Sequence, residues 1–183
     1  MSKQKILTVP NPLLRQKSKP VQKIDKKIQK IVRDLKDTLK IEEGPQGVGL
    51  AAPQIGQPYR LCLVFSKKSK KFLTLINPEI IWKSKAMVNR VPESKNPYEG
   101  CLSVPGYWGL VKRYKEIKVC YFTEGGKKVT RKFSGFTATV AQHEIDHLDG
   151  ILFIDRILEQ KSKLYKLEKG KDGKEIFREV EIT

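Results

Sequence analysis

Both histidines of this 183-residue chain fall in one short segment, Gln142-His143-Glu144-Ile145-Asp146-His147. Helical periodicity runs from about Thr137 to Asp149 and stops at Gly150. Residues four apart on a helix stand one above the other, so His143 and His147 project from one side. Two neutral imidazoles placed this way can grip one metal ion, and Glu144 beside them can handle a proton at a water activated by that ion. A lone histidine is more often a core or surface residue with satisfied hydrogen bonds. Two at this spacing, with an acid after the first and no other histidine in the chain, point to metal chemistry.

A catalytic metal needs a third protein ligand, and Cys101 is the candidate. It reads as part of a loop between Gly100 and Leu102, whereas Cys62 and Cys120 fall in predicted strands, the usual place for a buried structural thiol. One thiolate and two imidazoles leave a fourth position open to water, the arrangement of a catalytic site.

A glycine-rich segment carries the remaining chemical signal. Gly47-Val48-Gly49-Leu50-Ala51-Ala52 fits the dinucleotide fingerprint G-x-G-x-x-A in form only. It follows Gly44-Pro45-Gln46 rather than a strand, Pro53 and Pro58 interrupt what comes next, and lysines stand about 20 residues on, where an acidic ribose ligand belongs. The dinucleotide reading is therefore rejected. Small residues here let a peptide or a neighbouring strand approach the backbone, and Gln54 offers a side-chain N–H to a substrate oxygen.

The elements that must position these groups follow from periodicity. Ile24, Ile28, Ile31, Val32, Leu35 and Leu39 recur at helical spacing and predict an amphipathic helix of roughly four turns, ended by Gly44-Pro45. Tyr59 to Ser66 and Lys71 to Ile76 read as strands, the second broken by Asn77-Pro78, with further strands around Glu79 to Trp82 and Ala86 to Val91. Glu116 to Thr123 alternates cleanly, and Gly125-Gly126 turns it into a second strand, Lys127 to Phe133. The tail reads as a short helix, Ile157 to Leu167, and a last strand, Glu175 to Ile182. Nothing repeats and no linker divides the chain. The expectation is one α+β domain over residues 1–183, with mostly antiparallel strands around a central metal-binding helix and an N-terminal amphipathic helix. Its core spans about 5–158, followed by a tail at 159–183.

Composition narrows the function classes. Hydrophobic residues make up 39%, an ordinary globular share that argues against wholesale disorder. No apolar run is long enough to cross a bilayer, and Met1-Ser2-Lys3-Gln4-Lys5 leads into no apolar signal region, so a cytoplasmic protein without a membrane partner is expected. Three cysteines cannot all pair, which fits a reducing compartment. The net charge of +17 invites a nucleic-acid reading, but residues 142–183 carry 8 basic and 10 acidic side chains, so the excess lies outside the metal helix. With no aromatics embedded in a basic strand motif, general attraction to a polyanion is expected and sequence-specific nucleic-acid reading is not.

Three segments, taken together and in this order, closely resemble the signature motifs of the peptide deformylases: Gly47-Val-Gly-Leu-Ala-Ala-Pro-Gln54, Glu99-Gly-Cys-Leu-Ser103 and Gln142-His-Glu-Ile-Asp-His147. The similarity spans roughly residues 5 to 158. It implies a hydrolase that removes the formyl group from the N-terminal formylmethionine of nascent polypeptides and releases formate. By position it implies Cys101, His143 and His147 as metal ligands, Glu144 as general base and then acid, and Gln54 with the Leu102 backbone N–H as the oxyanion hole. The metal implied is Fe2+, with Zn2+, Ni2+ or Co2+ able to take its place. Val48, Pro97, Phe136, Thr139 and Val140 would line the methionine pocket. The substrate backbone would pair near Gly47–Gly49 and the Glu99–Gly100 segment, and Glu99 would position a neighbour. Pro97, Thr139 and Trp108 depart from the family's usual choices, the last standing where an arginine is common. A transient electrostatic association with the ribosome is the expected use of the basic surface. The competing readings are a peptidase built on the same helix and a basic RNA-associated protein with a vestigial site. Cys101, Glu144 and both histidines, all present, weigh against the second.

Overall fold

A computed structural model describes residues 3–41, 47–89, 91–92, 96–169 and 175–180. A short 3-10 turn, Pro12–Arg15, leads to helix α1 (Lys26–Ile41). Strand β1 (Gly49–Ala51) and a second 3-10 turn (Ala52–Ile55) precede β2 (Leu61–Ser66), β3 (Lys71–Lys83) and β4 (Met87–Val88). Then come β5 (Glu99–Cys101), β6 (Val104–Gly109), β7 (Arg113–Tyr114), β8 (Glu116–Phe122) and β9 (Lys128–Ser134). Helices α2 (Gly135–Leu148) and α3 (Phe153–Glu159) follow, and β10 (Leu164–Lys169) and β11 (Glu175–Val180) complete the described chain.

The strands form a five-stranded sheet in the order β1-β2-β3-β8-β9, a four-stranded sheet in the order β11-β10-β6-β5, and the short pair β4-β7, all antiparallel. Successive side chains of a strand point to opposite faces. Leu61, Cys62, Leu63 and Val64 of β2 are all fully buried, so this strand must be covered on both sides. Leu61 and Leu63 pack with Ile28, Ile31, Val32, Leu35 and Leu39 of α1. Cys62 and Val64 pack with Phe136, Val140, Ala141 and Ile145 of α2, beside Ile117, Val119 and Tyr121 of β8. Each aliphatic side chain enclosed this way contributes about 1.5–3 kcal/mol, and together they clamp α2 against the larger sheet.

The architecture is the expected α+β one, with three local corrections. β3 runs straight through Asn77-Pro78 instead of breaking there. Asn77 takes a left-handed φ of 49° and the register with β8 shifts between Ile76 and Glu79, so the strand bulges and continues. The Asn77 amide also accepts from Val21 N–H and donates to Val21 C=O, both at 2.8 Å, which ties the bulge to the segment before α1. In the tail, the expected helix Ile157–Leu167 divides: α3 ends at Glu159, and Leu164–Lys169 is strand β10, paired with β6. The strand expected over Ala86–Val91 contracts to Met87–Val88. Gly44-Pro45 and Ile182 lie outside the described residues. Among the described residues, no helix is long and apolar enough to cross a membrane.

Candidate metal centre

Helix α2 is buried along its whole length from Phe136 to Leu148. Its polar side chains therefore need partners, because an unpaired buried polar group is costly. Gln142 finds them on β7: its amide donates to Tyr114 C=O at 2.9 Å and accepts from Tyr114 N–H at 3.0 Å. The helix stops where Gly150 adopts φ 75°, at a point where a Cβ would lie 2.5 Å from the Arg15 carbonyl oxygen. Only glycine fits there, and that stop sets the last turn, which carries His147.

The four-stranded sheet brings the third candidate ligand, Cys101. Cys101 is the last residue of β5, at the point where its register with β6 shifts, rather than a loop residue as expected. The shift turns its sulfur inward. Sγ lies 3.1 Å from His147 Nε2, and the atoms that Cys101, His143 and His147 could offer a metal all fall within 4.8 Å of one another. All three residues are buried. Cys62, by contrast, is enclosed in the apolar core, where burial pushes its thiol well up.

Glu99 holds His143 in place. Its Oε1 is 2.7 Å from His143 Nδ1, which leaves Nε2 directed at the shared space with Cys101. Arg113 secures Glu99 in turn, donating from Nη2 at 2.6 Å and from Nε at 3.1 Å. Its Nη1 reaches Asp146, whose other oxygen accepts from Arg156 Nη2 at 2.6 Å. Burial would raise the Glu99 carboxyl, yet the Arg113 charge and His143 hold it at about 2, so Glu99 stays ionised.

Glu144 has a different environment. Burial lifts its carboxyl to about 7, with His143 and Arg113 opposing and the Glu99 charge reinforcing the rise. Among the described residues its Oε2 has no hydrogen-bond partner, and neither has His147 Nδ1. Gly49 of β1 lies against this carboxylate so closely that a Cβ would meet Oε1 at 2.3 Å. Gln54 is oriented by Ala51, whose N–H donates to its Oε1 at 2.8 Å. That leaves the Gln54 Nε2 directed at Ser103 Oγ (3.1 Å) and Cys101 Sγ (3.6 Å). Leu102 lies between those two residues in the chain. The donor set of one sulfur and two imidazoles, with an unpartnered carboxylate oxygen beside it, fits a first-row divalent metal with an open coordination position.

A narrow cavity of about 60 Å³ opens beside His143 and Glu144. Of the residues expected around the substrate, Val48, Glu99, Gly100, Phe136, Thr139 and Val140 line it. Gly47, Gly49 and Pro97 do not. Pro97 acts through its carbonyl, which accepts from Val91 N–H at 2.8 Å, and the neighbouring Asn96 and Tyr98 line the cavity with Val91 and Trp108. Sequence reasoning missed Tyr98, Asn96, Arg113 and the role of Asp146. For Arg113 the available signal was an arginine among lysines (Lys112, Lys115), since a planar fork serves a buried pair of carboxylates where lysine does not. A larger open depression, lined by Lys67, Lys68, Arg131 and Lys132, meets Phe136 from the surface.

The sequence model of the polypeptide deformylases matches residues 3–163. A peptide deformylase of Bartonella tribocorum is 40% identical over 163 residues, covering 86% of this chain and 85% of its own. One from Desulforudis audaxviator is 44% identical over 151 residues, covering 82% of this chain and 91% of its own. Among solved structures, the peptide deformylase of Thermotoga maritima superposes with a TM-score of 0.76 at 35% identity, covering 85% of this chain and 98% of that one.

Proposed function

The chain belongs to the polypeptide deformylase family, a family of metal-dependent hydrolases, and we propose that it removes formyl groups with Cys101, His143 and His147 as its metal ligands and Glu144 as its proton carrier. The reaction is hydrolysis of the formyl amide on the N-terminal formylmethionine of nascent polypeptides, releasing formate. One observation carries the residue assignments: three ligating atoms, a carboxylate with an unpartnered oxygen and the Gln54 amide converge beside a narrow, mostly apolar cavity.

Cys101, His143 and His147 would hold a divalent ion, which would supply Lewis acidity toward the formyl carbonyl and lower the pKa of water. The chain's own groups do the rest. Glu144, whose Oε2 has no hydrogen-bond partner among the described residues, takes a proton from the attacking water and delivers it to the departing amine. Gln54 Nε2 and the Leu102 backbone N–H face the charge that develops on the formyl oxygen, a contribution of about 3 kcal/mol per donor. Glu99 and Arg113 keep His143 oriented.

The substrate is held by both sheets. β1 is an edge of one and β5 an edge of the other. An extended peptide between Gly47–Gly49 and Glu99–Gly100 would add backbone hydrogen bonds that do not depend on its sequence. Its methionine side chain would enter the cavity among Val48, Phe136, Thr139 and Val140.

Within the same proposal Fe2+ is the working metal, Zn2+, Ni2+ and Co2+ are competent substitutes, and residues 1–183 act as one catalytic domain in the cytoplasm. The basic side chains around Lys67, Lys68, Arg131 and Lys132 support a transient, salt-sensitive association with the ribosome. Formate release from a formyl-Met peptide by anaerobic, iron-loaded protein tests the activity. Its absence across all four metals would overturn the proposal.

A further inference from the structure

The family match ends at residue 163, yet the chain continues into a hairpin, β10–β11, that extends the sheet carrying Cys101. The register of that sheet has a consequence for the cavity. Tyr165 stands opposite Trp108, and Trp108 opposite Gly100, so these three share one face. Phe177, opposite Leu167 and two positions along from Tyr165, points to the same face. The Phe177 ring centroid lies 4.8 Å from that of Tyr98 and 6.2 Å from that of Trp108, and Tyr165 also reaches Tyr98 at 4.8 Å. Tyr98 and Trp108 line the cavity; Phe177 and Tyr165 stand behind them.

We propose that the C-terminal hairpin is a specificity-determining wall of this enzyme, with Phe177 as a positioning residue that braces Tyr98 and Trp108 and so sets the width of the side-chain pocket. Tyr98 precedes β5 and lies outside any strand, with its N–H accepted by Asn96 at 3.0 Å. Its ring therefore takes its position from what it packs against. Tilted and edge-on aromatic contacts at these distances are directional as well as apolar, and removing a ring costs both components. A substrate whose side chain presses on Tyr98 and Trp108 meets a wall two aromatics deep, one that resists widening for a bulkier residue.

This inference rests on reading the cavity as the methionine pocket, and one experiment separates the two. Formate release is measured with the full-length, metal-loaded protein on formyl-Met, formyl-Leu and formyl-Phe tripeptides of otherwise identical sequence. A wild-type protein that shows no preference for methionine contradicts the pocket reading itself. Given that preference, F177A should raise KM for the formyl-Met peptide roughly 3- to 10-fold, leave kcat within about 2-fold, and narrow the methionine preference by a similar factor. F177Y, which keeps the ring, should restore both values. F177L, which keeps apolar bulk without the ring, should behave as F177A does and carries the comparison if the alanine variant folds poorly. I176A changes an exposed residue on the opposite face of the same strand and should match wild type. Unchanged KM and preference in F177A and F177L, or an equal shift in I176A, would overturn the proposal.

Discussion

Gly49 and Glu144 are packed so closely that a Cβ on the glycine would fall 2.3 Å from the Glu144 Oε1 and within 2.8 Å of its Cγ. The glycine of a small-residue segment on β1 thus sets where the α2 carboxylate can stand. G49A should displace that carboxylate or the strand beside it, and a misplaced proton carrier lowers kcat by about 100-fold. Metal content should stay at the wild-type level. Steady-state kinetics paired with metal analysis checks this, and parallel loss of metal would show that the methyl group disturbs the ligands instead.

The three cysteines should divide cleanly. C101S is expected to lose most of its bound metal, because oxygen replaces the sulfur that lies 3.1 Å from His147 Nε2. C62S places a hydroxyl in the apolar core and should cost about 1–3 kcal/mol of stability while keeping full metal. C120S, at a half-buried strand position, should change neither. Metal-to-protein ratios for the three variants decide the matter.

Arg113 is buried between Glu99 and Asp146, with hydrogen bonds to both. R113M would leave two enclosed carboxylates short of their shared partner and should destabilise the fold by about 3–5 kcal/mol. R113K keeps the charge but loses the fork that spans both acids. It should fold and yet bind metal about 10- to 100-fold more weakly, since Glu99 would hold His143 less firmly. Denaturant unfolding and competitive metal titration read the two effects separately.

Glu124 offers a pH test remote from the metal ligands. Burial would raise its carboxyl, but Lys36, with Nζ at 2.5 Å, and the Thr74 hydroxyl hold it below the ordinary value of 4.5. The stabilisation is therefore present above pH 4.5 and is lost as pH falls through the depressed native value. The side chain is nearly half exposed, so solvent screening limits the increment to less than about 1 kcal/mol. E124Q should be slightly less stable than wild type near neutrality, and the two should converge in acid. A difference that persists or grows on acidification would contradict the assignment.

The parts of the site that lie along one helix were legible in the sequence, because the i, i+4 rule places His143 and His147 together without reference to the rest of the fold. The β8–β9 hairpin was legible too, since the alternation of Glu116 to Thr123 runs into the Gly125-Gly126 turn. What escaped were relations that bring distant strands together. Arg113 meets Asp146 across 33 positions and Tyr98 meets Phe177 across 79, and no local pattern announces either pairing. Leu164 and Leu167 mimic helical spacing, but the free edge of β6 recruits that segment as a strand. At Asn77 a left-handed backbone and a register shift with β8 absorb the irregularity, so a residue pair that usually ends a strand only bends one.

The central claim is that Glu144 moves the proton beside a metal held by Cys101, His143 and His147. The direct measurement is formate release from a formyl-Met peptide by wild type and E144Q, both loaded with iron under anaerobic conditions and both assayed for bound metal. We expect equal metal in the two proteins, robust release by wild type and a loss of about 100-fold or more in E144Q. Full activity in an E144Q protein that retains its metal would contradict the account.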